Sequence, residues 1–520
     1  MSLVHVRRVV DEAVREHESA LQAEPVLAGA RPAVLASLAN THAGPVLIVT
    51  GRPDQAERLV VQVAAYLPPD KEPRLWETPH STPYEQLPFE HHAAAERVRV
   101  LTSLAGGSQA IIVAAARNLM HLTVAPDDLQ AMRRTLRVGE RIDSDALLRW
   151  ASDMGYQRVP LVFEPGGIAQ RGGVIDIFPP DSDDPVRLDL FGDEIESIRY
   201  FDVQSQRSRA PINELPLLPP IDIPTFRAES AVAKLQEISD RSLRAEVRAE
   251  WNSLIERVGL RQLPAGIDLV SAYFGSMTSL LSHLPANALV LFDDQNAVRA
   301  VTREIASHAE ELRQAFVANG ELPDGLLAPY IDPERLERTL EQFQSRNLGP
   351  SAESDDTDTR LFRIAPLYAG RTQRLVSDVQ LRLNEGWAVQ IVTDQKRRLT
   401  EIFEEQEIFP RKIRGTTADA PLSAGTLDIR VADAQVGWAL PTRRFLLLTD
   451  LEIFGFSKQT PRRRGRSIAE NIAFAESLTP GDYVVHVDQG VARFAGLTRS
   501  DAGGVEREYL LLEYARGDKL

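Results

Sequence analysis

The chain has 520 residues, of which 43% are hydrophobic and 26% charged, and it carries a net charge of −15 and no cysteine. This length indicates several domains, the missing cysteines exclude disulfides and thiolate chemistry, and the negative charge argues against a protein that coats nucleic acid. No run of about 18 apolar residues occurs, so we expect no membrane span and a cytoplasmic protein.

The first predicted elements are an amphipathic N-terminal helix and then a strand, Val46–Val49, followed by a glycine turn and a helix from Pro53. Strand, turn and helix is the layout of a phosphate-binding loop, which also needs a second glycine, a lysine and a hydroxyl. None of these three residue types stands at the required position, and Asp54 places a negative charge where a phosphate would sit. We therefore predict a degenerate, non-functional nucleotide loop formed by Gly51, Arg52, Pro53 and Asp54.

Residues 45–125 alternate strand-like and helix-like segments, which predicts a parallel α/β sheet. The segments "GVIDIF", "VRLDLF" and "IESIRYF" then predict a small antiparallel sheet inserted into the first domain. A long helical region is predicted over residues 230–258. A second strand, "ALVLF", ends at Asp293 and Asp294, which we interpret as a helix start rather than a magnesium site.

The second half begins with an acidic linker and continues with a further α/β segment and a basic tether that contains Arg462–Arg466. The strands "YVVHV", "GVARFAGLTRS" and "REYLLLEYA" predict the start of a small β-barrel, with the apolar "EYLLLEY" as its central strand. The barrel needs a further strand after Leu520. We therefore expect the chain to be a piece of a longer protein.

Two of these stretches carry a family resemblance. "GDYVVHVDQGVARFAGL" with "REYLLLEYARGDKL" resembles the RNA-polymerase-interaction domain of bacterial transcription-repair coupling factors (the Mfd family), which is related to CarD-type domains. "RGGVIDIFPPDSDDPVRLDLFGDEIESIRYFD" resembles domain 2 of that family and of the excinuclease subunit UvrB. The matches follow the family order along essentially the whole chain.

The resemblance implies a multidomain α/β fold: a UvrB-like parallel α/β domain with an inserted small antiparallel α+β domain, a further α/β domain and a C-terminal partial β-barrel of CarD/Tudor type. The implied boundaries are 1–127 for domain 1A, 128–210 for domain 2, 211–348 for domain 1B, 349–360 for the acidic linker, 361–455 for domain 3, 456–478 for the basic linker and 479–520 for the polymerase-interaction domain.

The resemblance also implies two partners and no chemistry in this chain. UvrA binding falls on Arg171, Arg187 and Phe191. Binding of the RNA polymerase β subunit falls on Leu497, Thr498, Arg499, Ser500 and Asp501. ATP, magnesium and most DNA contacts belong to the family's translocase motor, so we expect no catalytic residue, cofactor or metal here. We interpret His80, His91 and His92 as surface residues, because no cysteine and no acidic spacing motif accompanies them.

The residues on the predicted UvrA face agree with a binding role. Arg187 and Phe191 are four apart on one strand, so both side chains lie on the same face. Asp189 lies between them, and we predict that it holds Arg187 when no partner is bound. The alternative is a surface ion pair with Phe191 in the core.

Two other functions remain open. One is a UvrB-related nucleotide-dependent DNA repair enzyme or helicase, which would need an intact phosphate-binding loop. The other is a transcription regulator that uses only the C-terminal barrel, which leaves most of the chain without a role.

Overall fold

The computed structural model describes residues 2–18, 25–77, 83–107, 109–275, 277–349, 361–411, 422–456, 481, 483–486, 490–501 and 506–513. The helices in these ranges are α1 (Val4–Glu16), α2 (Arg31–Thr41), α3 (Pro53–Tyr66), α4 (His91–Ala105), α5 (Ala116–Leu119), α6 (Pro126–Ala131), α7 (Ser144–Asp153), α8 (Ala228–Gln236), α9 (Ala245–Gly259), α10 (Ile267–Val270), α11 (Gln295–Ala318), α12 (Pro333–Leu340), α13 (Thr372–Asn384), α14 (Lys396–Glu404) and α15 (Asp450–Phe454). The strands are β1 (Val46–Thr50), β2 (Arg74–Leu75), β3 (Ile111–Ala115), β4 (Arg134–Arg137), β5 (Gln157–Arg158), β6 (Gly167–Arg171), β7 (Val174–Ile177), β8 (Val186–Phe191), β9 (Glu194–Phe201), β10 (Ser208–Ile212), β11 (Glu214–Leu217), β12 (Leu289–Phe292), β13 (Gln344–Asn347), β14 (Arg363–Ile364), β15 (Ala388–Val392), β16 (Leu427–Arg430), β17 (Trp438–Leu440), β18 (Phe445–Thr449), β19 (Tyr483–His486), β20 (Gly490–Asp501) and β21 (Glu506–Glu513).

The first sheet is parallel throughout and has the strand order β13-β12-β1-β3-β2. All five residues of β1 and of β3 are buried, as expected for strands that are covered on both faces. The predicted strand Val46–Val49 is the central strand β1, and α3 begins at Pro53. The prediction of an α/β fold with a parallel sheet is confirmed.

The second sheet has the order β10-β9-β8-β7-β6-β5, and its strands come between β3 and β12 in the chain. All its neighbouring strands are antiparallel except β5 and β6. On its inner face Ile175, Ile177, Leu188 and Ile198 are buried in the same apolar cluster as Leu47 of the first sheet. The two sheets therefore share one core.

A buried ion pair links α4 to the segment that follows β11. Arg97 of α4 donates from Nε and Nη2 to the two carboxylate oxygens of Asp222 at 2.8 Å each, and Thr123 adds a third hydrogen bond at 2.8 Å. Both charged side chains are 1% exposed. Burial alone raises the pKa of Asp222, but the Arg97 guanidinium and His121 together outweigh burial, so the pKa lies well below its ordinary value.

The third sheet has the order β14-β17-β18-β15-β16 and packs against the first through a second apolar core. This core joins Val46 and Ile48 of β1 to Trp438 of β17 and Phe445 of β18. The Trp438 ring lies 5.4 Å from that of Phe445 and 5.3 Å from that of Phe362. The N-terminal helix α1 belongs to the same core through Leu3, Val6 and Val10.

Polar contacts also join α1 to the third sheet. His5 of α1 contacts the Gln390 side chain through Nε2 at 2.7 Å, and the carboxylate of Asp428 lies 3.9 Å away. Arg430 donates to Asp428 at 2.7 Å and to the backbone oxygen of Ser2 at 3.0 Å. Because His5, Gln390 and Asp428 are fully buried, the first turn of α1 is fixed to β15 and β16.

Residues 230–258 differ from the sequence prediction of one long helical region. The structure has two helices, α8 and α9, that pack against each other and are separated by residues 237–244. Leu235 of α8 and Trp251 of α9 are both buried, so the two apolar faces cover each other and the central core.

The predicted linkers lie largely outside the described residues, because 350–360 and 457–480 are not described. Within the described ranges, no helix combines the length and the apolar character needed to cross a membrane.

We predict that the junction between α1 and the third sheet loses stability as the pH is lowered. Burial lowers the pKa of His5 from 6.5 to about 4. The unfolded chain therefore binds this proton at a higher pH than the folded chain, and stability that is complete above about pH 6.5 falls as the pH decreases toward 4. The loss for one group is at most about 3 kcal/mol.

The measurement is the thermal unfolding midpoint between pH 7 and pH 4. His5→Gln keeps an amide beside Gln390 without a titratable ring, and we expect it to flatten the pH dependence. His92→Gln is the control, because His92 is exposed. An unchanged slope in His5→Gln would contradict this account.

Candidate partner-binding surfaces

The three predicted UvrA-binding residues lie on the outer face of the second sheet. Arg171 ends β6, whereas Arg187 and Phe191 belong to β8, and β7 runs between these two strands. The outer face is the side away from the shared core. A small apolar cluster of Val162, Ala169, Phe178 and Phe201 also lies outside that core.

Asp176 of β7 brings the two arginines together. It lies opposite Ala169 of β6 and Arg187 of β8 in the strand register. Arg187 donates from Nε and Nη2 to its carboxylate at 2.7 and 2.9 Å, and Arg171 donates from Nη2 at 2.7 Å. The Asp176 side chain is 1% exposed. Two guanidinium groups that would repel each other therefore share one buried carboxylate.

Arg187 is held more firmly than Arg171. Its Nη1 donates to the backbone oxygen of Gln206 at 3.3 Å, and its guanidinium lies 4.6 Å from the centre of the Phe201 ring. Hydrogen bonding to Asp176 raises the pKa of Arg187 above its ordinary value, although burial lowers it. The side chain of Arg187 is 17% exposed, whereas that of Arg171 is 50% exposed.

The prediction that Asp189 holds Arg187 is wrong. Asp189 accepts hydrogen bonds from Arg199 at 2.6 Å and from Ser197 at 2.7 Å, both on β9. The reason is cross-strand geometry: Arg187 lies opposite Asp176, and Asp189 lies opposite Ser197. Sequence reasoning missed Asp176 and Arg199. The available signal was an acidic residue between two buried isoleucines in "VIDIF".

Phe191 is 79% exposed, so the alternative that it belongs to the core is excluded. It is the last residue of β8, where the hairpin turns through Gly192 with a φ of +65°. The structure thus places two arginines in contact with one carboxylate and leaves the aromatic side chain free at the end of the same strand. The binding role of these three residues stays a prediction.

The degenerate loop uses its own polar groups internally. The backbone N–H of Arg52 donates to the Gln55 side chain at 3.1 Å, and the hydroxyl of Thr50 donates to the backbone oxygen of Arg52 at 3.0 Å. The Asp54 carboxylate at the start of α3 accepts from Arg58 at 2.6 Å. A half-exposed carboxylate that already pairs with Arg52 and Arg58 therefore stands at the start of α3. That no nucleotide binds stays a prediction.

The acidic pair after β12 acts as interpreted from the sequence. Asp294 caps α11, because its side chain accepts from the backbone N–H groups of Asn296 and Ala297 at 3.0 and 3.1 Å. Asp293 accepts from Arg31 at 3.1 Å. Of the predicted surface histidines, His92 is exposed, His91 is half-buried and His80 lies outside the described residues. Throughout the described ranges no group of three acidic or histidine side chains is arranged to hold a metal.

The C-terminal strands form an antiparallel sheet with the order β19-β20-β21. Of the three described strands β20 is the middle one, and the position of "EYLLLEY" as the central strand of a complete barrel stays a prediction. Residues Leu497–Asp501 pair with Leu510–Glu506 of β21. Because β19 reaches only Gly490–Arg493, the opposite backbone edge of 497–501 has no partner strand in the part of the chain that is described. The side chains of 497–501 lie outside it.

Comparison with known proteins links both surfaces to one family. Residues 135–222 match the family model of the UvrB interaction domain, and residues 478–520 match that of the CarD-like/TRCF RID domain. The resemblance to transcription-repair coupling factors is confirmed. Curated proteins named transcription-repair-coupling factor are similar over nearly the whole chain: that of Escherichia coli K12 is 28% identical over 523 residues (95% of this chain, 43% of the relative), that of Staphylococcus epidermidis ATCC 35984 is 25% identical over 495 residues (91% and 42%), and that of Staphylococcus aureus MRSA252 is 25% identical over 455 residues (82% and 38%).

The chain therefore spans about two fifths of the length of these transcription-repair-coupling factors. The outer face of the second sheet, with Arg171, Arg187 and Phe191, falls within the matched UvrB interaction domain. The edge of β20 that lacks a partner strand among the described residues falls within the matched CarD-like domain.

We predict that Asp176 is essential for the fold of the second sheet. Asp176→Ala leaves the partly buried Arg187 without its carboxylate and is expected to cost about 3 kcal/mol in unfolding free energy. The control is Asp189→Ala on the same face. Its partner Arg199 is 42% exposed, so the expected cost is below about 1 kcal/mol.

Urea denaturation with amide hydrogen exchange in β6–β9 as the readout measures both variants. Equal losses in the two would contradict the assigned role of Asp176. A charge reversal at Arg187 would not test binding cleanly. Arg187→Glu places a second negative charge against Asp176 and is expected to disturb the fold as well.

Proposed function

We propose that this chain is the N-terminal adaptor part of a transcription-repair coupling factor, which binds stalled RNA polymerase and recruits UvrA for nucleotide excision repair in the bacterial cytoplasm. The observation that carries the proposal is the presence of both family matches, at 135–222 and 478–520, in one chain. A regulator that uses only the C-terminal domain would not need the first match.

The proposal includes the domain arrangement. We assign β5–β10 to an inserted domain 2, because these strands come between β3 and β12 of the first sheet and form a sheet of their own. The third sheet is domain 3, and β19–β21 begin the polymerase-interaction barrel. We place the family's ATP-driven DNA translocase in the part of the relatives that this chain does not cover.

Binding of UvrA requires no bond to be made or broken by this chain. Phe191 offers an exposed aromatic anchor, and Arg171 offers a half-exposed guanidinium whose orientation is fixed by Asp176. Preorganised groups lose little conformational entropy when they bind. Such a surface suits a partner with an apolar pocket and carboxylates beside it.

Binding of the RNA polymerase β subunit is proposed at the edge of β20. An extended segment of a partner can add to an unpaired strand edge through backbone hydrogen bonds, and the edge beside Leu497–Asp501 lacks a strand on one side in the described residues. Arg499 and Ser500 are proposed to supply side-chain specificity.

The remaining alternative is a UvrB-related enzyme that uses nucleotide. The internal hydrogen bonds of Thr50, Arg52 and Asp54 favour the adaptor over this alternative. A saturable increase in melting temperature with Mg-ATP would favour the enzyme, because a ligand that binds the native state stabilises it.

We predict that Phe191→Ala weakens binding of UvrA about 30-fold, as expected for a central anchor worth about 2 kcal/mol. Because Phe191 is largely exposed, its removal leaves stability unchanged. The measurement is a titration of the chain with UvrA by isothermal calorimetry or biolayer interferometry. Phe409→Ala is the matched control, since Phe409 is 70% exposed on the third sheet's domain. Equal affinity of Phe191→Ala and wild type would overturn the assignment.

We predict that Arg499→Glu weakens binding of RNA polymerase about 10-fold or more, because like charge at an interface is unfavourable. Arg493→Glu is the control on the same strand, at a position that both β19 and β21 flank. Pulldown of the polymerase β subunit measures both variants. If both bind as well as wild type, the polymerase surface lies elsewhere.

A further inference from the structure

We propose that Arg199 is a further partner-binding residue of the outer face of domain 2, and that the partner presents a carboxylate to it. The inference rests on the proposed function of this face and identifies the partner chemistry that the face selects. It depends on three observations: the position of Arg199, its unused hydrogen-bonding capacity and the charge of the face.

Arg199 lies on β9 directly opposite Arg187 of β8. Its guanidinium does not share the carboxylate that Arg187 uses. Nη2 donates to Asp189 at 2.6 Å and Nε to the hydroxyl of Ser197 at 3.1 Å, while Ser197 itself donates to Asp189 at 2.7 Å. The guanidinium is therefore held over the middle of β8 by a second hydrogen-bonded cluster.

This position brings Arg199 toward Phe191. Asp189 is two residues from Phe191 on the same face of β8, and same-face neighbours on a strand are about 7 Å apart. Arg187 is twice as far along the strand from Phe191. Arg199, through its bond to Asp189, is thus held nearer to the exposed Phe191 ring than Arg187 is. A partner group that binds Phe191 would therefore lie close to Arg199.

Arg199 has more unused donors than Arg187, and they are more accessible to a partner. Arg187 uses Nε, Nη1 and Nη2 in hydrogen bonds and is only 17% exposed. Arg199 is 42% exposed, and no acceptor for its Nη1 is found among the described residues. A guanidinium has five N–H donors, so Arg199 can keep Asp189 and still bind a partner carboxylate.

The charge of the face fits an acidic partner. Three guanidinium groups, from Arg171, Arg187 and Arg199, stand against the two carboxylates of Asp176 and Asp189. These two clusters together are therefore positive on a chain with a net charge of −15, whereas the exposed Glu194 lies opposite Phe191 in the strand register. A partner surface with an apolar pocket for Phe191 and a carboxylate beside it would be complementary.

The test is the affinity of the chain for UvrA with Arg199→Ala. We expect a loss of about 10-fold that shrinks as the salt concentration rises, because charge contacts at the rim are screened. Arg199→Lys keeps the charge but not the planar fork, and we expect intermediate affinity. Arg207→Ala is the matched control: Arg207 is an exposed arginine between β9 and β10, outside the two clusters.

Each outcome decides between the claims. Wild-type affinity for Arg199→Ala, together with weak binding by Phe191→Ala, overturns the role of Arg199 and leaves the proposed function intact. Wild-type affinity for both variants means that the face does not bind UvrA. An equal loss for Arg207→Ala also overturns the inference, since any arginine would then have the same effect.

The thermal unfolding midpoint of each variant distinguishes a loss of folding from a loss of binding. If Arg199→Ala lowers the thermal unfolding midpoint, Arg199→Gln replaces it, because an amide can still donate to Asp189 without carrying a charge. Weak binding by a stable Arg199→Gln supports the inference, and wild-type binding overturns it.

Discussion

An ionised carboxylate is buried at low cost only beside a cation that also donates hydrogen bonds to it, and the described part of this chain meets that condition at three places. In each case an aspartate that is at most 1% exposed accepts from an arginine. One pair lies in the core shared by the first two sheets, one lies where α1 meets the third sheet, and one lies on the outer face of the second sheet. The pairs are Asp222–Arg97, Asp428–Arg430 and Asp176–Arg187.

Carboxylates of the second sheet hold in place the arginines that remain exposed. Asp176 fixes the orientation of Arg171, and Asp189 with Ser197 fixes that of Arg199, while Phe191 projects at the end of the strand between them. A binding surface built on strands in this way needs little reorganisation when a partner arrives. In the degenerate loop, the polar groups bond to one another at the surface rather than to a buried partner. The surface that we propose for UvrA thus consists of side chains held on strands, whereas the polar groups of the loop contact one another.

Much of this could be predicted from single strands and helices. Apolar alternation gave β7, β8 and β9, the period of two placed Arg187 and Phe191 on one face, and the residues after β12 predicted the cap formed by Asp294. Pairing between strands could not be predicted, because the register of neighbouring strands is not encoded in either strand alone. This is why the prediction that pairs Asp189 with Arg187 is wrong. The break between α8 and α9 depends on tertiary packing in the same way.

The central claim is that the outer face of domain 2 is the UvrA-binding surface, and hydroxyl-radical footprinting tests it most directly. Phe191 is 79% exposed and Phe409 is 70% exposed, so both rings should be oxidised in the free chain. With UvrA bound, the account predicts that oxidation of Phe191 falls sharply while Phe409 on domain 3 stays as reactive as in the free chain. Unchanged oxidation of Phe191 in a saturated complex would contradict the account.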